Sequence, residues 1–145
     1  MDSQLEQQVR RLADIEAIRT VLIEYGRRLD AGDAAGYAEL FTPDGEWSGG
    51  PYSASQREGI RAMAQRVIDG RDPSSPMVHL LSNMIVEVAG DTAKAWSRWL
   101  LVIYGPDGTA TIRRSGSYDD QFVRSADGWK FARRTVSHDV PLTPN

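Results

Sequence analysis

Apolar residues recur at Leu5, Val9, Leu12, Ile15, Ile18, Leu22, Tyr25 and Leu29, in steps of three and four. That period predicts a helix with one face against a core. Ser3-Gln4-Leu5-Glu6 reads as a capping box, which sets the helix at about residues 4 to 30. Ala31-Gly32 breaks it, and Asp33 is placed to cap a short second helix, Ala34 to Phe41, whose Tyr37, Leu40 and Phe41 face inward. Thr42-Pro43-Asp44-Gly45 predicts a turn, Glu46-Trp47-Ser48 a short strand, and Gly49-Gly50-Pro51 a sharply bent loop. Ser55-Gln56-Arg57-Glu58 repeats the capping pattern and starts a third helix, through Ile60, Met63, Ala64, Val67 and Ile68 to Gly70. A loop with two prolines follows, Arg71 to Pro76.

Beyond it the pattern changes from helical to alternating. Strands are predicted at Met77–Ala89, Thr92–Tyr104, Thr109–Arg124 and Trp129–His138, joined by turns at Gly90-Asp91, Gly105 to Gly108 and Ser125 to Gly128. Helices first and hairpin-linked strands afterwards mean an α+β fold, with helices on one face of a mostly antiparallel sheet. A single domain over residues 1–145 is expected, with 141–145 a frayed tail.

Strict alternation assigns faces. His79, Leu81, Asn83 and Ile85 share one side of the first long strand; Val78, Leu80, Ser82, Met84, Val86 and Val88 share the other. Ala95, Ser97, Trp99, Leu101 and Ile103 form a small-to-large set that fits a cavity wall or ordinary core. Arg114, Gly116, Tyr118, Asp120 and Phe122 go together on the next strand. On the last, Trp129 and Phe131 point to the core while Arg134, Val136 and His138 have the opposite parity, unless a bulge intervenes. Arg113/Arg114 and Arg133/Arg134 are candidates to pair with Asp119/Asp120.

Composition removes several function classes. With net charge −3, pI about 5.4 and no basic run, nucleic acid is not an expected partner. The absence of cysteine removes disulfides and thiolate chemistry. The start, Met-Asp-Ser-Gln-Leu-Glu, does not resemble a signal peptide, and no apolar run is long enough for a membrane span, so a cytoplasmic protein without a membrane partner is expected. Two histidines, His79 and His138, without metal-ligand spacing, argue for no metal and no cofactor.

Asp30 stands out because it has no structural task. It borders the buried stripe at the negative end of the helix dipole, where a carboxylate is disfavoured, and Asp33 is the better cap. His79 lies on a fairly apolar stretch, and imidazole suits proton transfer near neutrality. A buried histidine satisfied by a backbone carbonyl fits the same pattern, and His79 alone favours that plainer reading. His138, near the end of the last strand, fits a pocket mouth or, preferably, solvent.

The order of landmarks is similar to the SnoaL-like branch of the nuclear transport factor 2-like superfamily. The first helix ends Tyr25-Gly26-Arg27-Arg28-Leu29-Asp30, and Asp33 to Gly45, His79-Leu80-Leu81-Ser82-Asn83, Gly116 to Asp120 and Asp127 to Arg134 follow at family-like spacing over nearly the whole chain. The resemblance implies a cone-shaped α+β barrel, with helices packed into a strongly curved mixed sheet around an apolar pocket. It also implies homo-oligomers, dimers or trimers. The site pattern resembles that of scytalone dehydratase, bile-acid 7α-dehydratase and hexachlorocyclohexane dehydrochlorinase, in which a first-helix aspartate orients a strand histidine that removes a substrate proton.

Carried over, Asp30 and His79 are the dyad, with Asn83 completing His-x-x-x-Asn, Tyr25 the tyrosine five residues before the aspartate, and Arg134 a basic residue aiding the leaving group or substrate. Trp99, Tyr52, Tyr118 and Phe41 are expected in the pocket, with Trp47, Leu81, Asn83 and His138. Relatives place a second histidine or an aspartate on the strand matching Thr92–Tyr104, where this chain offers Trp99 or Val102. Tyr25, Tyr52 and His138 are therefore alternatives for the leaving-group acid. The expected function is cofactor-independent elimination from a hydrophobic cyclic small molecule; isomerisation, polyketide-type cyclisation and ligand binding without catalysis are the alternatives.

Overall fold

The four long predicted strands form a continuous meander, and one parallel pairing brings the front of the chain onto it. The structure, a computed structural model, describes residues 3–142. In chain order the elements are α1 (Ser3–Asp30), α2 (Ala34–Glu39), β1 (Phe41–Gly49), β2 (Tyr52–Ser55), α3 (Gln56–Asp69), β3 (Met77–Ala89), β4 (Thr92–Tyr104), β5 (Ala110–Ser125) and β6 (Gly128–His138). They build one six-stranded sheet of order β2-β1-β6-β5-β4-β3, in which only β1–β6 is parallel. The sheet is mixed and mostly antiparallel, and it is not closed into a barrel: β2 and β3 are its two edges. The helices cover the inner side instead, so the cone is completed by packing rather than by strand pairing. No described helix is long and apolar enough to cross a membrane.

β3 and β4 have the predicted bounds, because clean alternation between turn residues leaves little freedom. The second helix is shorter than expected, and Phe41 opens β1. Asp33 does cap it, accepting from the Gly36 N–H at 2.8 Å. The Thr42–Gly45 turn lies inside β1: this stretch stands opposite Ala132 alone, between the Phe41–Phe131 and Glu46–Arg133 pairs. Turn chemistry here makes a bulge rather than an end. Ser55 precedes α3 as predicted, but as the last residue of β2 and without a side-chain capping bond. Of the expected tail, 143–145 lie outside the described residues.

The core forms where α1 crosses the sheet. Ile18, Leu22 and Leu29 bury against Phe122, Phe131 and Phe41, with Tyr37 and Ile60 from the next two helices. Each such side chain contributes roughly 1.5–3 kcal/mol on burial. The apolar ladder reaches further than the core does. Leu5, Val9 and Leu12 are exposed, so the first three turns of α1 project beyond the sheet, and their predicted inward face is corrected. Periodicity records that a face is apolar, not that a partner lies under it. Burial begins at Asp14, which accepts from both Arg124 terminal nitrogens at 2.7 and 2.8 Å and from the Trp129 indole at 3.1 Å.

Two further bulges correct the predicted faces. Between Ser82 and Ile85, Asn83 takes φ +54°, a conformation asparagine tolerates better than most residues. The parity of β3 flips there: His79 and Leu81 turn inward, then Met84, Val86 and Val88, while Ile85 is exposed. On β6, Ala132 is the extra residue opposite the Gln121–Phe122 step. Trp129 and Phe131 before it, and Arg134, Val136 and His138 after it, thereby all face inward.

Candidate active site

The C-terminus of α1 and the start of β3 meet at Asp30 and His79. Arg71 donates to the Leu29 and Asp30 carbonyls at 3.3 and 2.9 Å, placing a cation where the helix dipole is negative. Asp30 points across to β3. Its Oδ2 accepts from the His79 backbone N–H at 2.9 Å, and its Oδ1 lies 2.6 Å from His79 Nδ1. Both side chains are largely withdrawn from water, at 19% and 11% exposure. A carboxylate only accepts, so Nδ1 carries the proton and Nε2 is the basic nitrogen of the neutral ring. The approach of the two elements depends on Gly26: a Cβ there would stand 3.1 Å from the Cβ of His79.

His79 opens onto a cavity of about 250 Å³. Trp99 and Leu101 of β4, Tyr118 and Arg114 of β5, and Val136 and His138 of β6 form its sheet wall. Tyr25, Leu29, Tyr37, Met63, Ala64 and Val67 form its helix wall, and Trp47, Gly49, Tyr52 and Leu142 stand on the side of the β1–β2 hairpin. Gly116 lets Trp99 lie flat on the sheet, since a Cβ there would meet Trp99 Cζ2 at 2.8 Å. The Tyr25 hydroxyl accepts from the Trp47 indole at 2.9 Å, which leaves its own proton available to a ligand. Burial first, then the neighbouring Tyr25 hydroxyl, pushes the Tyr37 and Tyr118 hydroxyls well above the ordinary phenol range, so both stay protonated donors.

Beneath these tyrosines lies a buried ion pair. Arg134, 0% exposed, makes two bonds to Asp120 at 2.7 and 2.8 Å, and its guanidinium sits 4.0 Å from the Tyr25 ring centre and 3.7 Å from that of Tyr118. Its Nη1 has no hydrogen-bond partner among the described residues and is accommodated by the aromatic faces. Burial alone pushes the arginine pKa down, but Asp120 outweighs it and Arg134 stays charged. The same burial pushes the Asp120 carboxyl up, opposed by Arg134.

Several expected site residues are thereby relocated. Arg134 does not line the cavity; it underlies Tyr25 and Tyr118. Phe41 is fully buried core, its ring tilted against that of Phe131 with centres 4.9 Å apart, because β1 starts one layer below the cavity. Leu81 packs toward Gly26 rather than into the cavity lining, and Asn83 is exposed in the β3 bulge. Trp47, Trp99 and Tyr118 line the cavity as expected, with half-exposed Tyr52 at the rim. His138, for which solvent is the preferred sequence reading, lies in the lining with its ring 5.2 Å from that of Trp99. Burial first, then the Arg114 charge, holds its pKa below the ordinary histidine value. Arg113 and Arg114 do not pair with Asp119 or Asp120, and Arg133 pairs with Glu46. Arg114 escaped the sequence reading as a site residue although its parity with Gly116 and Tyr118 already placed it on the cavity side.

Of the larger hollows, one of about 430 Å³ shares Arg114, His138 and Leu142 with this cavity and one of about 300 Å³ shares Trp47, while those of about 380 and 610 Å³ lie along the sheet away from the dyad. The 380 Å³ hollow is lined by Glu87, Lys94, Asp119 and Arg133, a solvated charged face, and neither it nor the 610 Å³ hollow contains a histidine or tyrosine.

The sequence matches the SnoaL-like domain over residues 10–135. A nuclear transport factor 2-like protein with a cystatin-like fold from Novosphingobium aromaticivorans is 31% identical, with a TM-score of 0.83 over 96% of this chain and 92% of that one. A protein from Catenulispora acidiphila, solved in complex with S-DNPA, is 25% identical, with a TM-score of 0.75 over 90% and 95%. The uncharacterised protein Rv2910c of Mycobacterium tuberculosis is 28% identical over 141 aligned residues, 87% of this chain and 86% of the relative.

Proposed function

The chain belongs to the SnoaL-like domain family, whose members include polyketide cyclases and dehydratases, and from that premise we propose that it is a cofactor-independent lyase of the dehydratase type. The observation that carries this reading is the Asp30–His79 contact at 2.6 Å on the wall of a largely apolar cavity. His79 Nε2 removes a proton from a carbon beside an activating carbonyl. Asp30 keeps the ring in the reactive tautomer and stabilises the imidazolium, which the partly dry surroundings strengthen. Tyr25 gives its proton to the β-hydroxyl, the C–O bond breaks, and water departs as the double bond forms. The charge left on Tyr25 lies over Arg134, and the His79 proton returns to Tyr25 through water to close the cycle. Arg134 is thus a positioning and charge-stabilising residue rather than a leaving-group acid.

Size limits the substrate. A cavity of roughly 150 Å³ already encloses benzene, so about 250 Å³ supports a single or fused bicyclic ring rather than an enclosed four-ring skeleton. That a Catenulispora acidiphila relative was solved in complex with S-DNPA supports small-ligand binding by this chain.

The test is a mass-spectrometric screen of bicyclic β-hydroxy ketones in deuterated buffer. Loss of water that disappears in His79→Gln is the expected result. Deuterium uptake without loss of water assigns the same base to an isomerase or cyclase. Neither, with ligand binding retained, makes the protein a binding module.

A further inference from the structure

Strand register puts a cation two strands away from His79 on the sheet wall of the cavity. His79 of β3 pairs with Leu101 of β4, and Leu101 pairs with Arg114 of β5, so the three lie in one cross-strand row. Neighbouring strands are about 4.8 Å apart, so the His79 and Arg114 backbones are separated by about 10 Å. The register shifts next to Arg114, between Leu101 and Val102, an irregularity of the kind that aims a side chain at the rim of a site.

Arg114 also differs from most arginines of the sheet, and Arg113, the other one without an ion pair among the described residues, does not line the cavity. Arg98, Arg124, Arg133 and Arg134 are paired with Asp139, Asp14, Glu46 and Asp120. Arg114 has no ion pair among the described residues. The carboxylate of Asp139, next to His138, is occupied by Arg98 and Ser115. Arg114 is exposed at the edge of a largely apolar cavity, and its guanidinium is a planar fork suited to a carboxylate. His138, in the adjacent row opposite Gly116, adds a ring N–H on the same side.

We infer that Arg114 receives a carboxylate of the ligand, so that the compound bound here is a flat hydrophobic acid of one or two rings whose opposite end meets His79. This rests on the cavity being the substrate site of the proposed reaction, but binding and turnover can be read separately.

The experiment is calorimetric titration of the full chain with 2-naphthoate and its uncharged analogue 2-naphthamide, at low and high salt. The acid binds about tenfold more tightly than the amide at low salt, the magnitude of one partly exposed charge-assisted contact, and the advantage shrinks as salt rises. Arg114→Gln removes the advantage without weakening the amide, Arg114→Lys restores part of it, and His79→Gln leaves it in place. Equal affinities in the wild type, an advantage that survives Arg114→Gln, or no binding of the acid overturns the inference. An advantage in a protein that eliminates water from no substrate leaves the anion site standing and removes the lyase reading. Elimination without the advantage does the reverse.

Discussion

Replacing Asp30 by asparagine changes one atom, and the surrounding bonds decide where the new amino group goes. In the wild type Oδ2 accepts from the His79 backbone N–H and Oδ1 from His79 Nδ1. The single oxygen of the substituted amide can serve only one of these donors. If it faced Nδ1, the amino group would oppose the backbone N–H at about the same separation, two donors would meet, and the part-buried backbone group would lose its partner at a cost of roughly 1–3 kcal/mol. If the oxygen keeps the backbone N–H, the amino group faces Nδ1, which need only become an acceptor; the two neutral imidazole tautomers are close in energy. The second arrangement wins, and it moves the ring proton to Nε2, the nitrogen that acts as base in the proposed reaction. The base is then blocked rather than merely weakened. A tautomer error in a dyad of this kind costs on the order of 10³–10⁴ in kcat, or about 4–5.5 kcal/mol of barrier. Nitrogen-15 NMR of the neutral His79 ring reads the switch without any substrate: protonated Nδ1 in the wild type, protonated Nε2 in Asp30→Asn. An unchanged tautomer, or a rate loss below about tenfold in the screened elimination, would refute the assigned geometry.

Two other predictions concern stability. Asp120→Asn strands the fully buried Arg134 charge and costs about 3–5 kcal/mol, whereas the apolar pair Asp120→Leu with Arg134→Met costs much less than the two single changes summed; urea unfolding of the variants tests the coupling. Asp14, Glu24 and Asp139 are held below their usual carboxylate range by hydrogen bonds from Arg124, Arg27 and Arg98, Glu24 and Asp139 to about 2. A depressed folded-state pKa contributes stability that is present above the unfolded value and lost on acidification, so thermal midpoints should fall between about pH 4.5 and 2 and the slope should lessen in Glu24→Gln.

Much of this site was legible one element at a time. Asp30 could be singled out because Asp33 did the capping, and β3 and β4 because alternation between turns leaves few choices of boundary. What was not legible depended on partners. The Asn83 bulge follows from how β3 meets β4, and the Ala132 bulge from how β6 meets β5 and β1, so strict alternation put Asn83 beside His79 and kept Arg134 off the face of Phe131. Leu5, Val9 and Leu12 read as core because periodicity carries no information on where a sheet ends. The resemblance implies a catalytic cation at Arg134, and the Asp120 carboxylate that consumes its charge is only one of several candidate partners in the sequence.

The Ala132 bulge makes β6 two strands in one. Up to Arg134 it is scaffold; from Val136 onward it is wall, and the single extra residue, Ala132, acts as a clutch that lets both ends turn the same way. Deleting it would rotate His138, Val136 and Arg134 outward together while leaving Trp129 and Phe131 in place. Exchanging side chains within the wall leaves that phase untouched. This strand is therefore easy to repaint and hard to shorten, so new binding preferences can be sampled here by substitution, one side chain at a time, with chain length held constant.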